Sequence, residues 1–295
     1  MSSDIFAAIR ELGVELSPPM LEGSMALFAP LAPRPTPDVC AVERDIAYGP
    51  DARHRLDVFY PTLSGGRAAQ ALPVLAFVHG GGFVRGDKGA PGAPFYNNVG
   101  AWAVQNGLIG VTLSYRLAPG ARWPAGAQDV AMALEWLAGN VARFGGDPDR
   151  LALIGQSAGA FHVASCVVGQ HGREHVPGPV AAIMLSPVYD LVSLRRSQFE
   201  EAYFGTDGAR LAEASTLEPL TRTEVPCLFT VSELDPPNFQ QQAVRLVEAY
   251  WSAQGRWPPL LYLPGHNHIS PILQLGTAHD TLGGELLAFI RRVAS

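Results

Sequence analysis

The sequence predicts an α/β fold: a mostly parallel central sheet with helices on both faces and a small helical lid. Three observations point to it. Short uninterrupted apolar runs, such as residues 72–78 and 151–154, read as strands buried on both faces. Amphipathic stretches of helical period lie between them, clearest in Val130, Leu134, Leu137 and Val141. Third, residues 151–160 pass from a buried strand through Gly155-Gln156-Ser157-Ala158-Gly159 straight into a small-residue run suited to a helix. Strands alternating with helices at this spacing make a parallel sheet wrapped on both sides.

Taken in order, residues 4–12 predict a helix, with Ile5, Ile9 and Leu12 on one face and Gly13 as its stop. Residues 17–40 are rich in proline and short apolar residues and read as a wrapping segment rather than a core element. That segment either covers an active-site mouth or is a plain arm. Strands follow at 42–48 and 54–60, joined by the turn chemistry of Gly49-Pro50-Asp51. A strand at 72–78 ends in His79-Gly80-Gly81-Gly82-Phe83. Phe95, Val99 and Trp102 share a helical face, and 108–115 is the next strand. Beyond the Ser157 turn, strands are expected at 180–185, 227–231 and 260–263. Phe239, Ala243, Leu246 and Tyr250 mark a helix between the last two, and Leu282, Leu286 and Phe289 a closing one. Residues 191–222 fit no strand and read as a helical lid. Residues 1–295 are therefore expected to form one domain, with 1–40 as an N-terminal arm or cap segment and 191–222 as a lid insertion.

Composition narrows the classes of function. Of 295 residues, 47% are hydrophobic and 16% charged, the balance of a globular chain with a sizeable core. The net charge of −6, with no basic cluster, speaks against nucleic-acid binding. No apolar window is long enough to span a membrane, and residues 1–10 lack the pattern of a secretory signal. Cys40, Cys166 and Cys227 have no metal-like spacing, and Cys166 and Cys227 lie in apolar runs as small core residues. A reducing cytoplasm is the expected setting.

Gly-x-Ser-x-Gly alone is a weak pattern, but its strand–turn–helix context is that of a nucleophile elbow. The turn would hold Ser157 in a strained conformation, with no room for side chains at Gly155 and Gly159. A serine hydroxyl needs a general base, and the base an orienting acid. In an open parallel sheet these groups lie past the C-terminal ends of strands. Past 227–231 the chain offers Asp235, with Glu233 and the earlier Asp190 as alternatives. Past 260–263 it offers His266 and His268, and the residues alone do not choose between them. The order Ser, Asp, His is that of α/β-hydrolases. An oxyanion hole is needed as well, because negative charge develops on the acyl oxygen. The glycine run after His79 lets consecutive N–H groups point inward, and the Ala158 N–H adds a donor. A phosphate-cradling role is disfavoured, since no Gly-Lys-Ser/Thr follows.

His79-Gly80-Gly81-Gly82-Phe83, Tyr115-Arg116-Leu117-Ala118-Pro119, Gly155-Gln156-Ser157-Ala158-Gly159, Asp235-Pro236 and Gly265-His266-Asn267-His268 together resemble the landmarks of the hormone-sensitive-lipase-like esterases. The resemblance runs from about Val42 to the C-terminus, with the N-terminal arm matching part of that family's cap. It implies an α/β-hydrolase fold and selects His268 as base through the pattern Gly-x-x-His. It implies Ser157, Asp235 and His268 as the catalytic residues and Gly80, Gly81 and Ala158 as oxyanion donors. His79, Gly82, Gly155, Gly159 and Arg116 are supporting residues. Two features depart from the pattern: the elbow carries Gln156 where that family has Asp and Ala160 where it has Gly, and the lid is short. Together with Gly82-Phe83-Val84-Arg85-Gly86-Asp87-Lys88 and His266-Asn267-His268-Ile269-Ser270, these features are similar to a neighbouring group, the bacterial carboxylesterases and arylformamidases. The expected activity is serine carboxylesterase on small, short-chain acyl esters, with no metal or organic cofactor. Arylformamidase activity on N-formylkynurenine and a non-catalytic hydrolase-fold receptor are the rival readings. A small ester is the expected partner, with a homodimer left open. Phe83, Trp102 and Trp123 are as well explained by ordinary core as by an acyl pocket.

Overall fold

Val74, Ala76 and Val78 point to one face of the central sheet, and Leu75 and Phe77 to the other; all five are fully buried. This two-sided burial is what makes the strand runs continuously apolar rather than alternating. The computed structural model describes residues 2–62 and 71–294, with side chains from residue 5 onward.

In chain order the elements are α1 (Ser2–Glu11), α2 (Pro18–Phe28), β1 (Cys40–Ala47), β2 (Arg55–Pro61), β3 (Leu72–Val78), α3 (Asn97–Gln105), β4 (Ile109–Leu113), α4 (Ala125–Asn140) and β5 (Gly146–Gln156). There follow α5 (Ala158–Val167), β6 (Ala181–Leu185), α6 (Gln198–Phe204), α7 (Gly208–Ala214), α8 (Leu217–Leu220), β7 (Cys227–Leu234), α9 (Pro237–Gln254), β8 (Leu260–Asn267), α10 (Ser270–Leu273) and α11 (Gly283–Val293). The eight strands make one sheet in the order β1-β2-β4-β3-β5-β6-β7-β8. Only β2 runs against its neighbours, pairing antiparallel with β1 and β4; β3 through β8 are parallel. Helices α4, α5 and α9 cover one face, while α1, α3 and α11 cover the other.

The strand order reverses at β3, which lies between β4 and β5. Connections leaving β3 and β5 diverge to opposite sides, and a crevice opens past their carboxyl ends. His79 directly follows β3 and Ser157 directly follows β5, so topology alone brings the glycine loop beside the Gly-x-Ser-x-Gly turn.

The segment 17–40 corrects the expectation of a wrapping segment without a core role. Residues 18–28 are helical, and Met20 and Phe28 are 1% and 0% exposed, Phe28 within the core beneath the sheet. Pro18 and Pro19 read as breakers, yet they occupy the first turn of α2, where a missing N–H costs nothing, and Ser17 caps that turn by accepting from Met20 N–H. Two strands also reach further than expected. β5 starts at Gly146, and β8 continues past Pro264 to Asn267 across a register shift in its pairing with β7. Residues 191–222 contain no strand; α6, α7 and α8 lie there, α6 and α7 packing around Phe83, Phe161, Tyr203 and Phe204 and α8 against the core on the α9 face. Among the described residues, no helix is long and apolar enough to cross a membrane.

Candidate active site

Ser157 sits at φ 53°, ψ −119°, a conformation that costs free energy for any residue with a side chain. Neighbouring elements hold it there. Its N–H donates to Leu185 O at 2.8 Å, and α5 begins at the next residue. A Cβ at Gly155 would overlap the Gly159 carbonyl, and one at Gly159 would overlap the carbonyl oxygens of Val78 and His79. These glycines let helix α5 approach β3 and β5 at backbone contact. The Ala158 N–H belongs to the first turn of α5, whose N–H groups have no partner within the helix.

The acid and base come from the ends of β7 and β8. His268 Nδ1 and Asp235 Oδ1 are 2.6 Å apart, both residues buried. Because a carboxylate only accepts, a proton lies on Nδ1, and in the neutral imidazole the lone pair is therefore on Nε2. Among the described residues Nε2 has no hydrogen-bond partner, although His268 and Ser157 line one cavity. Asp235 Oδ2 accepts from the Ser186 hydroxyl and the Ser232 N–H, each at 2.7 Å, so both carboxylate oxygens are fixed. Phe239 packs on the imidazole with ring centroids 4.2 Å apart.

The alternatives are engaged elsewhere. Glu233 accepts from Gly265 N–H and from Arg10, and Asp190 accepts from Ser193 and pairs with Arg245. His266 lies between Ser270 Oγ and Thr281 Oγ1, each at 2.9 Å, with Phe6 edge-on to its ring. Burial pushes its pKa down to about 4, so it is neutral near pH 7.

The glycine loop is held from below. His79 is fully buried, and burial lowers its pKa to about 4. Its Nδ1–H donates to Gly80 O at 2.6 Å, and its ring stacks on Tyr115, whose hydroxyl donates to His79 O at 2.8 Å. Gly81 and Gly82 have φ of 126° and 60°, and a Cβ at Gly81 would overlap Arg85 O. No residue with a side chain fits this course without strain. Gly80, Gly81, Gly82 and Ala158 line the same cavity as Ser157. Arg116 does not: it grips the buried Asp129 at 2.6 and 2.9 Å and braces the start of α4.

The cavity has a volume of about 560 Å³ and is walled largely by apolar side chains. Leu16, Leu21 and Met25 come from the N-terminal segment, Leu194 and Phe199 from the segment at 191–222, and Ile269 and Leu273 from the end of β8 and α10. Phe83 lines it as well, whereas Trp102 lies in the core beneath the sheet and Trp123 in the cluster around α6. Sequence reasoning missed Ser186 and did not foresee the side-chain contact of Gln156. Ser186, at φ 47°, follows β6 by one residue, and a hydroxyl at a strand's carboxyl end was the available signal. Chemically, the arrangement offers a hydroxyl, an imidazole oriented by a carboxylate and a glycine loop lining one cavity. That is the equipment for acyl transfer.

A family model of the alpha/beta hydrolase fold matches residues 75–245, more than half of the chain. Among curated proteins, the chain is 36% identical to phenmedipham hydrolase of Pseudarthrobacter oxydans over 148 residues, 46% of this chain and 27% of that protein. It is 33% identical to esterase LipQ of Mycobacterium tuberculosis over 178 residues, 58% of this chain and 41% of that protein. The chain thus spans less than half the length of these curated relatives. A solved esterase of the bacterial hormone-sensitive lipase family superposes with a TM-score of 0.71 at 21% identity, covering 100% of this chain and 98% of that one.

Proposed function

The chain belongs to the alpha/beta hydrolase fold family, and we propose that it is a serine carboxylesterase acting on small, short-chain acyl esters. The observation that carries this reading is the His268–Asp235 pair, with Nε2 unpartnered among the described residues and His268 lining the cavity that Ser157 lines. The esterase and hydrolase names of its relatives support it.

In the first half-reaction, Ser157 Oγ bonds to the acyl carbon while His268 Nε2 takes the hydroxyl proton. Asp235 holds the tautomer and stabilises the imidazolium. The carbonyl oxygen, now an oxyanion, accepts from the N–H groups of Gly80, Gly81 and Ala158, each donor worth about 3–4 kcal/mol in the transition state. The bond to the alcohol oxygen then breaks, with the proton on Nε2 passing to the leaving group. In the second half-reaction water gives its proton to His268, attacks the acyl-enzyme, and releases the acid and free Ser157. Buried, neutral His79 fixes the glycine loop without adding a charge beside the oxyanion.

The walls given by residues 1–40 and 191–222 act together as the cap, and their apolar lining suits an acyl chain. The three buried, unpaired cysteines fit a reducing, cytoplasmic setting. The reading is tested by initial rates with p-nitrophenyl acetate, butyrate and octanoate for wild type and Ser157→Ala. Turnover abolished by the substitution supports the serine esterase, and equal slow rates in both proteins overturn it.

A further inference from the structure

We propose that Gln156 is a positioning residue of the reaction: its neutral side-chain amide fixes the main chain of His268 against the glycine loop, a task an ionised carboxylate there could not perform. The inference deepens the esterase reading and rests on it for its kinetic part.

Gln156 closes β5, immediately precedes Ser157 and is 3% exposed. Its Nε2 donates to the main-chain oxygen of His268 at 3.0 Å, across 112 residues of sequence. Its Oε1 lies so close to Gly80 that a Cβ on that glycine would overlap it. One side chain therefore touches the nucleophile's strand, the base's backbone and the oxyanion loop.

Asp235 fixes the imidazole of His268 from the ring end only. The direction from which Nε2 approaches Ser157 also depends on the backbone that carries the ring. The His268 carbonyl is an acceptor in a buried setting and needs a donor. Glutamine supplies one. An ionised carboxylate of the same length only accepts and would oppose that carbonyl, and a leucine would leave it unpaired. An ionised carboxylate at this place would also favour the imidazolium of His268. The ionisable groups sharing the cavity with His268 are Glu15, Tyr96, Arg85, Arg195 and Glu200, and Asp235 meets the Nδ1 side of its ring. Among the described residues, none of their side chains hydrogen-bonds Gln156, so a charge introduced there would have no such bond to neutralise it.

The test uses the full chain carrying Gln156→Glu or Gln156→Leu, each first shown to melt cooperatively near the wild-type temperature; Gln156→Met replaces a leucine variant that does not fold. The first readout needs no turnover: the NMR titration of the His268 Cε1–H resonance, assigned by its absence in His268→Ala. Gln156→Glu is expected to raise the midpoint by about 0.5 pH unit or more, and Gln156→Leu by less. The second readout is p-nitrophenyl butyrate hydrolysis. Gln156→Leu is expected to lower kcat about tenfold with KM within about twofold. The acidic limb of kcat/KM in Gln156→Glu should move up with the NMR midpoint. An unmoved midpoint in Gln156→Glu, or a Gln156→Leu kcat within about twofold of wild type, overturns the proposal. If wild type hydrolyses no ester, the esterase reading fails instead, and the titration still decides whether Gln156 governs His268.

Discussion

His266 and His268 stand two residues apart at the end of β8, and both are buried. Only one residue separates them, yet they meet opposite surroundings. His266 has both ring nitrogens satisfied, by Ser270 and Thr281. His268, which lines the cavity, has one nitrogen fixed by a carboxylate and the other unpartnered among the described residues. A saturated imidazole is a structural linker; one with a lone pair held in place and unused can accept a proton. Burial does not separate the two, and neither does position along the chain. The partner set does.

The sharpest way to break this contrast is to remove each ring in turn. His268→Ala should lower kcat/KM for p-nitrophenyl butyrate by roughly 10⁴–10⁶-fold, leaving the residual rate of the oxyanion loop and binding alone. Asp235→Asn attacks the same arrangement from behind. An amide can donate to Nδ1 and select the tautomer with its proton on Nε2, so the expected fall is roughly 10³–10⁴-fold with little change in KM. His266→Asn should keep the rate within about threefold while costing about 1–3 kcal/mol in chemical denaturation, from the bonds to Ser270 and Thr281. If His266→Asn loses as much activity as His268→Ala, the contrast collapses.

The smallest effect lies in the pH dependence of stability. The pKa of His266 is lowered on folding to about 4 from an ordinary 6.5, so the unfolded chain binds its proton first. Its contribution is whole above pH 6.5 and is lost as the pH falls toward 4, by about 3 kcal/mol at most. His79 shares this window, and His162, lowered by burial to about 3, extends it. Denaturation of His266→Asn between pH 7 and 4 should therefore show a shallower decline than wild type, with the rest of the slope intact.

Much of this molecule is legible in its sequence, because its sheet is buried on both sides and its elbow, glycine loop and strand ends carry local signatures. The strands at 72–78 and 181–185 announce themselves by unbroken apolar runs. The α2 helix did not, because two prolines at its start look like breakers until a cap is seen to hold the first turn. The choice between the two histidines could not come from periodicity, since the groups that distinguish them arrive from elsewhere. The same holds for Ser186 and Gln156, whose side chains meet partners 49 and 112 residues away. Local pattern gives the elements and the chemistry at their ends; long-range side-chain bonds decide which of two equivalent candidates is used.

The N-terminal helices pack against the strand that carries the histidines. Ser24 accepts a hydrogen bond from Asn267 across 243 residues at 2.8 Å, Phe6 meets the His266 ring, and Arg10 meets Glu233. During synthesis at about 5–20 residues per second, the apolar faces of α1 and α2 leave the ribosome roughly 10–50 s before β8 exists. Throughout that interval Phe6, Arg10 and Ser24 lack the partners that β7 and β8 supply. A helical surface translated early thus waits for the last strand of the sheet, the one that completes its contacts.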